Sequence, residues 1–349
     1  MKILIIGPSW VGDMVMSQSL YSTLKHHYPT SKIDVLAPSW CKPILERMPE
    51  VDKAIEMPIG HGSFNLSDRW KIGRNLAKSD YTHAYILPNS AKSALIPLFA
   101  GIKNRAGWKG EFRYGLLNDL RKDKKIFQYM VERYVALAYE QTDMITKVTL
   151  GNCPIPKLNT SESNIESVVA KLGINNKLPT IGICPGAEFG PAKRWPEKHY
   201  AKVVSYAIEN GFQVWLFGSN KDIDVCNNIL SGLSDTQRNL CYNLAGRTSL
   251  VDAVDLLSCC HTVISNDSGL MHVASAVGCN IIAIYGSSSP NYTPPLSHKV
   301  AIVDNDVECR PCFQKVCPLG HFDCLEKLEA KKVIAALKGF IANNEISMV

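Results

Sequence analysis

The sequence predicts an α/β protein built from two doubly wound parallel sheets. Short strand-like runs alternate with helical stretches along the chain, a pattern typical of parallel strands joined by crossover helices. These runs are apolar on both faces, as expected for strands covered by helices on both sides. The length of 349 residues is more than one hydrophobic core usually organises. The predicted strands are residues 2–6, 32–36, 82–87, 180–184, 213–217, 262–265 and 281–285.

A proline-rich polar segment, residues 151–179, separates the first three predicted strands from the last four. Its composition is that of a linker that leads into a new domain. We therefore predict two Rossmann-like domains, residues 1–165 and 166–349, with the last helix a candidate to pack back on the first domain. In such sheets ligands bind beyond the carboxyl ends of the strands, so we expect two crevices that face each other across an interdomain cleft.

Composition and charge exclude several classes of protein. Apolar residues make up 46% and charged residues 20%, which is typical of a globular chain and excludes disordered and fibrous ones. The apolar runs are far shorter than the roughly 20 residues of a membrane span. Gly7-Pro8 interrupts the first run before a signal-peptide core can form, so we expect a cytoplasmic protein. The net charge of +6 is too small to indicate nucleic-acid binding.

Positive charge is concentrated in residues 103–125. Aromatic residues interleave with it, and the combination fits nucleic acid, an anionic membrane surface or an anionic saccharide equally well, with a solvated face as the plain alternative. The basic residues are Lys103, Arg105, Lys109, Arg113, Arg121, Lys122, Lys124 and Lys125, and the aromatic ones are Trp108, Phe112 and Tyr114.

The first motif follows the first predicted strand and opens a helix, with the sequence Gly7-Pro8-Ser9-Trp10-Val11-Gly12-Asp13-Met14. Its spacing is that of a Walker A loop, but Asp13 stands in place of the lysine and Met14 in place of the hydroxyl residue. Because a carboxylate repels phosphate, Asp13 is a candidate general base aimed into the cleft. The turn alone fits equally well an ordinary acidic residue favoured by the helix dipole.

The second motif, residues 185–196, joins the first strand of the second half to a helix. Gly186 and Gly190 allow close approach of the backbone to a ligand. Lys193 and Arg194 can supply positive charge to a diphosphate near a helix N-terminus. A surface loop with ordinary solvated side chains is the alternative.

The third motif, residues 265–272, also lies between a strand end and a helix. The backbone N–H groups of Ser268, Gly269 and Leu270 would point at an anion, and His272, about one turn further, adds a donor. Asp267 suits sugar hydroxyls, which a carboxylate binds through paired hydrogen bonds. In the alternative interpretation Asp267 is a plain N-cap and His272 packs in the core.

Four of the twelve cysteines form a cluster, Cys309-x2-Cys312-x4-Cys317-x6-Cys324. This density suggests metal, Fe–S or redox chemistry, although the spacing is not the paired CxxC of a zinc ribbon. A thiol cluster in a reducing compartment is the alternative, and we assign no metal ligand from the sequence. The other eight cysteines are scattered through regular segments, where a thiol behaves as a small apolar residue.

Taken together, residues 7–17, 185–196, 266–272 and 285–290 resemble the ADP-heptose:lipopolysaccharide heptosyltransferases, glycosyltransferase family 9. The resemblance covers most of the chain, and its second and third segments are specific. It implies a GT-B fold, with the acceptor in the first domain and the nucleotide sugar in the second. It also implies transfer of L-glycero-D-manno-heptose from ADP-heptose, with inversion, to the first heptose of a heptosyl-Kdo2-lipid A type acceptor.

The resemblance also implies a role for each matching residue. Asp13 matches the base, and Lys193 the lysine that steadies the donor diphosphate. Asp222 at the ribose and Thr248 at the adenine are weaker candidates. The donor-binding residues implied in this way are Gly186, Lys193, Asp222, Thr248, Asp267, Ser268, Gly269 and His272. No cofactor is implied and Mg²⁺ is not indicated, because the chain has no D-x-D motif. The anionic acceptor implies peripheral association with the cytoplasmic face of the inner membrane.

Two other functions remain open at this stage. A sugar-nucleotide oxidoreductase or epimerase would also use doubly wound domains, although the G-x-G-x-x-G fingerprint is missing. A non-enzymatic module could recognise an anionic glycan or membrane through residues 103–125.

Overall fold

The computed structural model describes residues 1–60, 62–175 and 177–345. The chain forms two compact units, Met1–Asn159 and Thr160–Val349. The boundary predicted from the sequence, residue 165, falls inside a helix, Glu162–Leu172, that lies wholly in the second unit. Ser161 begins this helix by accepting a hydrogen bond from the Asn164 N–H, so the polar serine that suggested a linker is an N-cap.

The first unit is a six-stranded parallel sheet with strand order β3-β2-β1-β4-β5-β6. Its strands are β1 (Lys2–Ile6), β2 (Lys32–Ala37), β3 (Lys53–Glu56), β4 (His83–Ile86), β5 (Asn104–Trp108) and β6 (Asp119–Arg121). Its helices are α1 (Val11–His27), α2 (Lys42–Leu45), α3 (Leu66–Leu76), α4 (Ala91–Phe99), α5 (Met130–Val135) and α6 (Met144–Lys147).

The second unit repeats this plan, with strand order β12-β11-β10-β7-β8-β9. Its strands are β7 (Thr180–Cys184), β8 (Gln213–Leu216), β9 (Cys241–Asn243), β10 (Thr262–Asn266), β11 (Asn280–Tyr285) and β12 (Val300–Asp304). Its helices are α7 (Glu162–Leu172), α8 (Glu197–Glu209), α9 (Ile223–Ser231), α10 (Asp235–Arg238), α11 (Leu250–Ser258), α12 (Gly269–Ala276), α13 (Asp323–Glu326) and α14 (Ala330–Glu345).

Both sheets reverse their strand order at one place, and this determines where ligands can bind. The reversal lies between β1 and β4 in the first unit and between β7 and β10 in the second. The loops that follow these strands diverge to opposite faces of the sheet and leave a crevice at its carboxyl edge. The second and third sequence motifs follow β7 and β10, so the fold brings them to the same crevice.

All seven predicted strands are present, and the α/β prediction is confirmed. The sequence analysis missed β3, β5, β6, β9 and β12, and four of these are edge strands. An edge strand has a neighbour on one side only and is less deeply buried, so it lacks the continuous apolar run that reveals a central strand. β3 and β6, for example, are Lys-Ala-Ile-Glu and Asp-Leu-Arg.

The last helix, α14, packs in the core of the second unit. Its Val333 and Leu337 are fully buried in the apolar cluster formed by the β7, β8 and β10 side chains and helix α8. The apolar stripe of the helix is used against the sheet of its own unit, and the expected packing on the first domain stays a prediction. Among the described residues no helix is both long and apolar enough to cross a membrane.

Candidate functional site

The crevice of the second unit contains a buried ion pair between the loops after β7 and β10. The Lys193 Nζ lies 2.5 Å from Oδ2 of Asp267, and the two side chains are only 17% and 5% exposed. Lys193 also lies over the Phe189 ring, 4.9 Å from its centroid. The two residues are 74 positions apart, so only the strand order brings them together. The pair places a cation and a carboxylate together inside the crevice.

Asn266, the last residue of β10, fixes the position of the lysine loop. Its side chain is fully buried, its Nδ2 donates to the Pro185 carbonyl at 2.6 Å, and its Oδ1 accepts from the Trp195 N–H and the Tyr200 hydroxyl. One amide thus ties both ends of the loop after β7 to the end of β10. The sequence analysis did not single out Asn266, and its position beside Asp267 at a strand end was the available signal.

The N-terminus of α12 faces the same crevice. Ser268 is the N-cap in extended conformation, and its side chain does not cap the helix. The first N–H groups of a helix have no acceptor within the helix, so those of Ser268 and Gly269 are available to an anion. Asp267 does not act as the cap either, since its carboxylate faces Lys193. The alternative interpretation from the sequence, in which Asp267 is a plain N-cap, therefore does not describe the structure.

His272, on the same helix, is buried and neutral. Burial lowers its pKa to about 4, with the charge of Lys193 acting in the same direction and that of Asp267 against it. A neutral imidazole offers one N–H donor. The alternative interpretation from the sequence, that His272 packs in the core, describes its environment, since only 4% of the residue is exposed.

Asp222 occupies the loop after β8 in a tightly packed setting. Its Oδ2 accepts from both the N–H and the hydroxyl of Ser219, at 2.9 and 2.8 Å. A Cβ at Gly186 would lie 2.4 Å from Asp222 Oδ1, and one at Gly218 only 2.6 Å from its Cβ. The carboxylate is therefore largely committed to its own loop and is less open than the predicted ribose ligand. The close approach of Asp222 also explains why positions 186 and 218 are glycines.

Thr248 lies on the neighbouring loop, after β9, and is partly exposed. This loop touches the Asp222 loop through a hydrogen bond from the Gly246 N–H to the Gly218 carbonyl, 3.0 Å long. Thr248 thus lies on the outer side of Asp222 along the carboxyl edge of the sheet.

The loop after β11 adds two hydroxyl groups that sequence reasoning did not assign. Ser287 and Ser288 are buried, and neither hydroxyl has a hydrogen-bond partner in the described structure. The Ser287 N–H donates to the Ala192 carbonyl beside Lys193, at 3.1 Å. Buried hydroxyls without partners are costly, and next to the lysine loop they are candidate ligand donors.

In the first unit Asp13 lies in the first turn of α1, after β1, and is half-buried. Burial raises the pKa of the neighbouring Cys41 thiol to about 12, and the charge of Asp13 adds to this rise. Two exposed indole rings flank the turn, since the Trp40 Nε1 donates to the Ser9 carbonyl at 2.8 Å and Trp10 is the N-cap of α1. Trp40 was missed because nothing in the sequence joins it to residues 7–14.

The basic segment, residues 103–125, is only partly a charged surface. Arg113 is 1% exposed and donates to the carbonyls of Pro88 and Trp108, and burial lowers its pKa to about 10. Arg121 forms two 2.7 Å hydrogen bonds to Asp119, and Arg105 donates to the Leu116 carbonyl. These three arginines therefore hold loops together and do not offer charge to a partner.

The exposed part of this segment is smaller than expected. Trp108 is buried and donates to the Arg133 carbonyl, whereas Phe112 and Tyr114 are exposed and in edge-to-face contact. Lys109 lies over the Tyr114 ring. The accessible surface thus comprises these two aromatic rings, Lys109 beside them, and the exposed lysines of the same segment, Lys103, Lys122 and Lys125.

Comparisons with known proteins agree with this architecture. The sequence profile described as glycosyltransferase family 9 (heptosyltransferase) matches residues 69–323. The chain is 53% identical to lipopolysaccharide heptosyltransferase 2 of Escherichia coli (strain K12), over 99% of this chain and 100% of that protein. It is 55% identical to lipooligosaccharide heptosyltransferase 2 of Haemophilus ducreyi, over 87% and 88% of the two chains. The solved structure of E. coli ADP-heptose lps heptosyltransferase II superposes with a TM-score of 0.88 at 47% identity, covering 99% and 100%.

Proposed function

The chain belongs to glycosyltransferase family 9, the heptosyltransferases, and from this premise we propose that it transfers heptose from ADP-heptose to the first heptose of the lipopolysaccharide inner core. The fold is GT-B, and family membership replaces the oxidoreductase and binding-module alternatives. The observation that carries the proposal is the Lys193–Asp267 pair at the N-terminus of α12. It places a cation, free backbone donors and a carboxylate in one crevice.

The donor diphosphate is assigned to this crevice. Its negative charge would be met by Lys193 and by the N–H groups of Ser268 and Gly269, with Gly186 allowing close approach of the backbone. Asp267 holds Lys193 in place before the donor binds, and in the complex its carboxylate would also accept from heptose hydroxyls. His272, neutral at pH 7, supplies a donor without adding charge.

The nucleoside is assigned to the adjoining loops after β8 and β9. Asp222 has one oxygen committed to Ser219, so a ribose hydroxyl would use Oδ1. Thr248, on the next loop outward, is assigned to the adenine. This order follows the carboxyl edge of the sheet from the diphosphate outward.

Asp13 is the proposed general base. It takes the proton of the acceptor hydroxyl while that oxygen attacks the anomeric carbon, and the bond from that carbon to the diphosphate breaks on the opposite side. One direct displacement of this kind inverts the anomeric centre. Lys193 and the α12 N-terminus stabilise the charge that develops on the leaving ADP, so we propose that the transfer needs neither Mg²⁺ nor another cofactor.

The acceptor is assigned to the first unit, beside Asp13. The exposed rings of Trp10 and Trp40 offer apolar faces to a sugar. Phe112, Tyr114 and the surrounding lysines fit an anionic interface, because aromatic rings settle at headgroup level and lysines are attracted by anionic lipid. We therefore propose peripheral association with the cytoplasmic face of the inner membrane, where a heptosyl-Kdo2-lipid A type acceptor would be presented.

The experiment is mass spectrometry of a monoheptosylated inner-core acceptor after incubation with ADP-heptose and the purified protein. We expect a gain of one heptose with the native chain and with Asp143→Asn, an exposed carboxylate of the first unit that pairs with Lys147. Asp13→Asn should give almost none. Full transfer by Asp13→Asn would contradict the base assignment. No product together with no ADP binding by the native chain would reject the function.

Metal independence is tested by brief treatment with EDTA followed by addition of Mg²⁺. We expect the rate to be unchanged by both steps. A rate that falls with EDTA and returns with Mg²⁺ would contradict the proposed charge stabilisation by Lys193 and the helix N-terminus alone.

A further inference from the structure

The segment that follows β12 gathers four thiols around one small cavity. We call residues 305–322 the cysteine loop; it carries Cys309, Cys312 and Cys317, and Cys324 lies just after it in α13. All four are free and all four line a cavity of about 20 Å³. The Cys324 thiol lies within electrostatic range of the other three. Residues up to 15 positions apart in sequence thus line the same cavity.

The other eight cysteines lie in different surroundings. Seven are buried and the eighth, Cys259, is exposed, and burial raises the thiol pKa of, for example, Cys153 and Cys241 to about 12. They fill core positions as small apolar groups. In contrast, Cys309, Cys312 and Cys317 are half-exposed on an irregular loop, where an apolar packing role does not explain four sulfurs together.

The backbone after Cys317 forms a tight turn. Gly320 has a φ of +73° there, and its N–H donates to the Cys317 carbonyl. Cys309 and Cys312 have the two-residue spacing that lets two sulfurs face one ion. The Arg310 guanidinium also lines the cavity and is fixed by the Gly286 carbonyl and Asp304.

We propose that Cys309, Cys312, Cys317 and Cys324 bind one soft divalent cation, Zn²⁺ or Fe²⁺, as a four-thiolate site. Thiolate is the ligand these ions prefer, and four of them complete a closed tetrahedral shell. Binding releases the four thiol protons to solvent and changes no oxidation state. The resulting site carries a net charge of about −2, and the adjacent Arg310, which also pairs with Asp304, would offset part of it.

Closure of the site requires a small movement of the side chains. Within the described residues no three potential ligands are already set at coordination distance. The sulfurs must therefore turn inward around the cavity by rotation about their Cα–Cβ bonds.

The site would act as a structural clamp on the donor crevice. In the cysteine loop, the Lys315 carbonyl accepts from the Ala192 N–H at 3.1 Å, and the Phe313 N–H donates to the Ser287 carbonyl at 2.7 Å. Gly190, with a φ of +153°, leaves no room for a Cβ, which would lie 2.5 Å from the Lys315 carbonyl oxygen. The cysteine loop thus holds the backbone beside Lys193. Metal binding itself does not rest on the proposed function.

The test measures metal in the full-length chain purified under reducing conditions without chelator. We expect about one equivalent of zinc or iron per chain by plasma mass spectrometry. Cys312→Ser and Cys317→Ser should each lower this to background, whereas Cys259→Ser, at an exposed cysteine outside the cluster, should retain it. No donor or acceptor is present, so the result is independent of heptose transfer.

A second measurement needs no variant and covers the case in which the substituted chains fail to fold. Co²⁺ added to the metal-depleted native chain should give the intense thiolate-to-metal absorption and tetrahedral bands of a four-sulfur site, and Zn²⁺ should displace it. Metal content at background together with absence of these bands overturns the proposal. A disulfide among the four cysteines in the freshly purified native chain, detected by mass spectrometry without reductant, also overturns it.

Discussion

The two candidate sites are built in opposite ways, although they stand on sheets of the same strand order. In the second unit the charged groups are buried and already paired, with Lys193 against Asp267 and Asn266 tied to both ends of the lysine loop. In the first unit Asp13 is half-buried and the rings beside it are exposed. A preformed crevice suits a small ligand of fixed structure such as a nucleotide sugar, and an open face suits a large glycolipid.

The largest expected effect is a fall in kcat without loss of ADP binding, caused by a substitution at Asp13 in the first unit. Asp13→Asn should lower kcat by about 100-fold to 10,000-fold, because the amide cannot take the acceptor proton. ADP affinity, measured by calorimetry, should stay within about twofold, since the donor groups lie in the second unit. A large fall in ADP affinity would show that Asp13 also contributes to donor binding.

The second-largest effect is expected when the Lys193–Asp267 ion pair is broken. Lys193→Met should lower kcat about 100-fold or more and, by leaving Asp267 buried without a partner, lower the free energy of unfolding by about 3 kcal/mol. The double variant Lys193→Met/Asp267→Asn should recover much of the stability without recovering activity. Urea unfolding and steady-state rates of the three chains form the measurement, and recovery of both properties would contradict the diphosphate role of Lys193.

The third effect is a pH dependence that belongs to the buried site. The folded pKa of His272, about 4, lies below its ordinary value of 6.5, so below pH 6.5 the unfolded chain takes up a proton that the folded chain refuses. Stability should fall as pH decreases from about 6.5 to 4, by up to about 3 kcal/mol from this residue. Urea unfolding at a series of pH values should show a smaller fall in the free energy of unfolding for His272→Asn than for the native chain. Equal slopes of this free energy against pH would contradict a buried neutral imidazole.

A smaller effect is expected for the exposed indole beside Asp13. Trp40→Ala should raise the KM for acceptor about fivefold, as expected from the loss of roughly 1 kcal/mol of ring contact, and leave the KM for ADP-heptose unchanged. Trp70→Ala, at an equally exposed ring on α3, is the control. An equal rise for both variants would indicate a general loss of surface properties.

The smallest effect concerns the aromatic and lysine surface of the first unit. Phe112→Ala combined with Lys109→Ala should weaken binding to vesicles that contain anionic lipid by a few fold, with the remaining binding decreasing as salt increases. Cosedimentation is the measurement, with Ile145→Ala, an exposed apolar residue on α6, as the control. Native binding that is insensitive to salt and lipid charge would contradict this surface as the contact.

Much of the fold was predictable because it depends on local pattern. Central strands such as β1 and β11 are continuous apolar runs, and the loops after β1, β7 and β10 carry the glycines and polar residues of strand-to-helix turns. The edge strands were not predictable in this way, because partial burial leaves their sequences as polar as a loop. The same limit applied to the arginines of residues 103–125, whose charge suggested a surface although two of them are buried.

The sequence by itself determined the α/β class, the division into two halves and the loops that carry Asp13, Lys193 and Asp267. Only the tertiary structure decided what these residues contact. It paired Lys193 with Asp267 across 74 positions, joined Asn266 to Pro185 across 81 and gathered four cysteines at one cavity. The physical reason is that periodicity and turn chemistry act over a few residues, whereas ion pairs, buried amides and ligand shells depend on strand order, which places distant segments at one edge of a sheet.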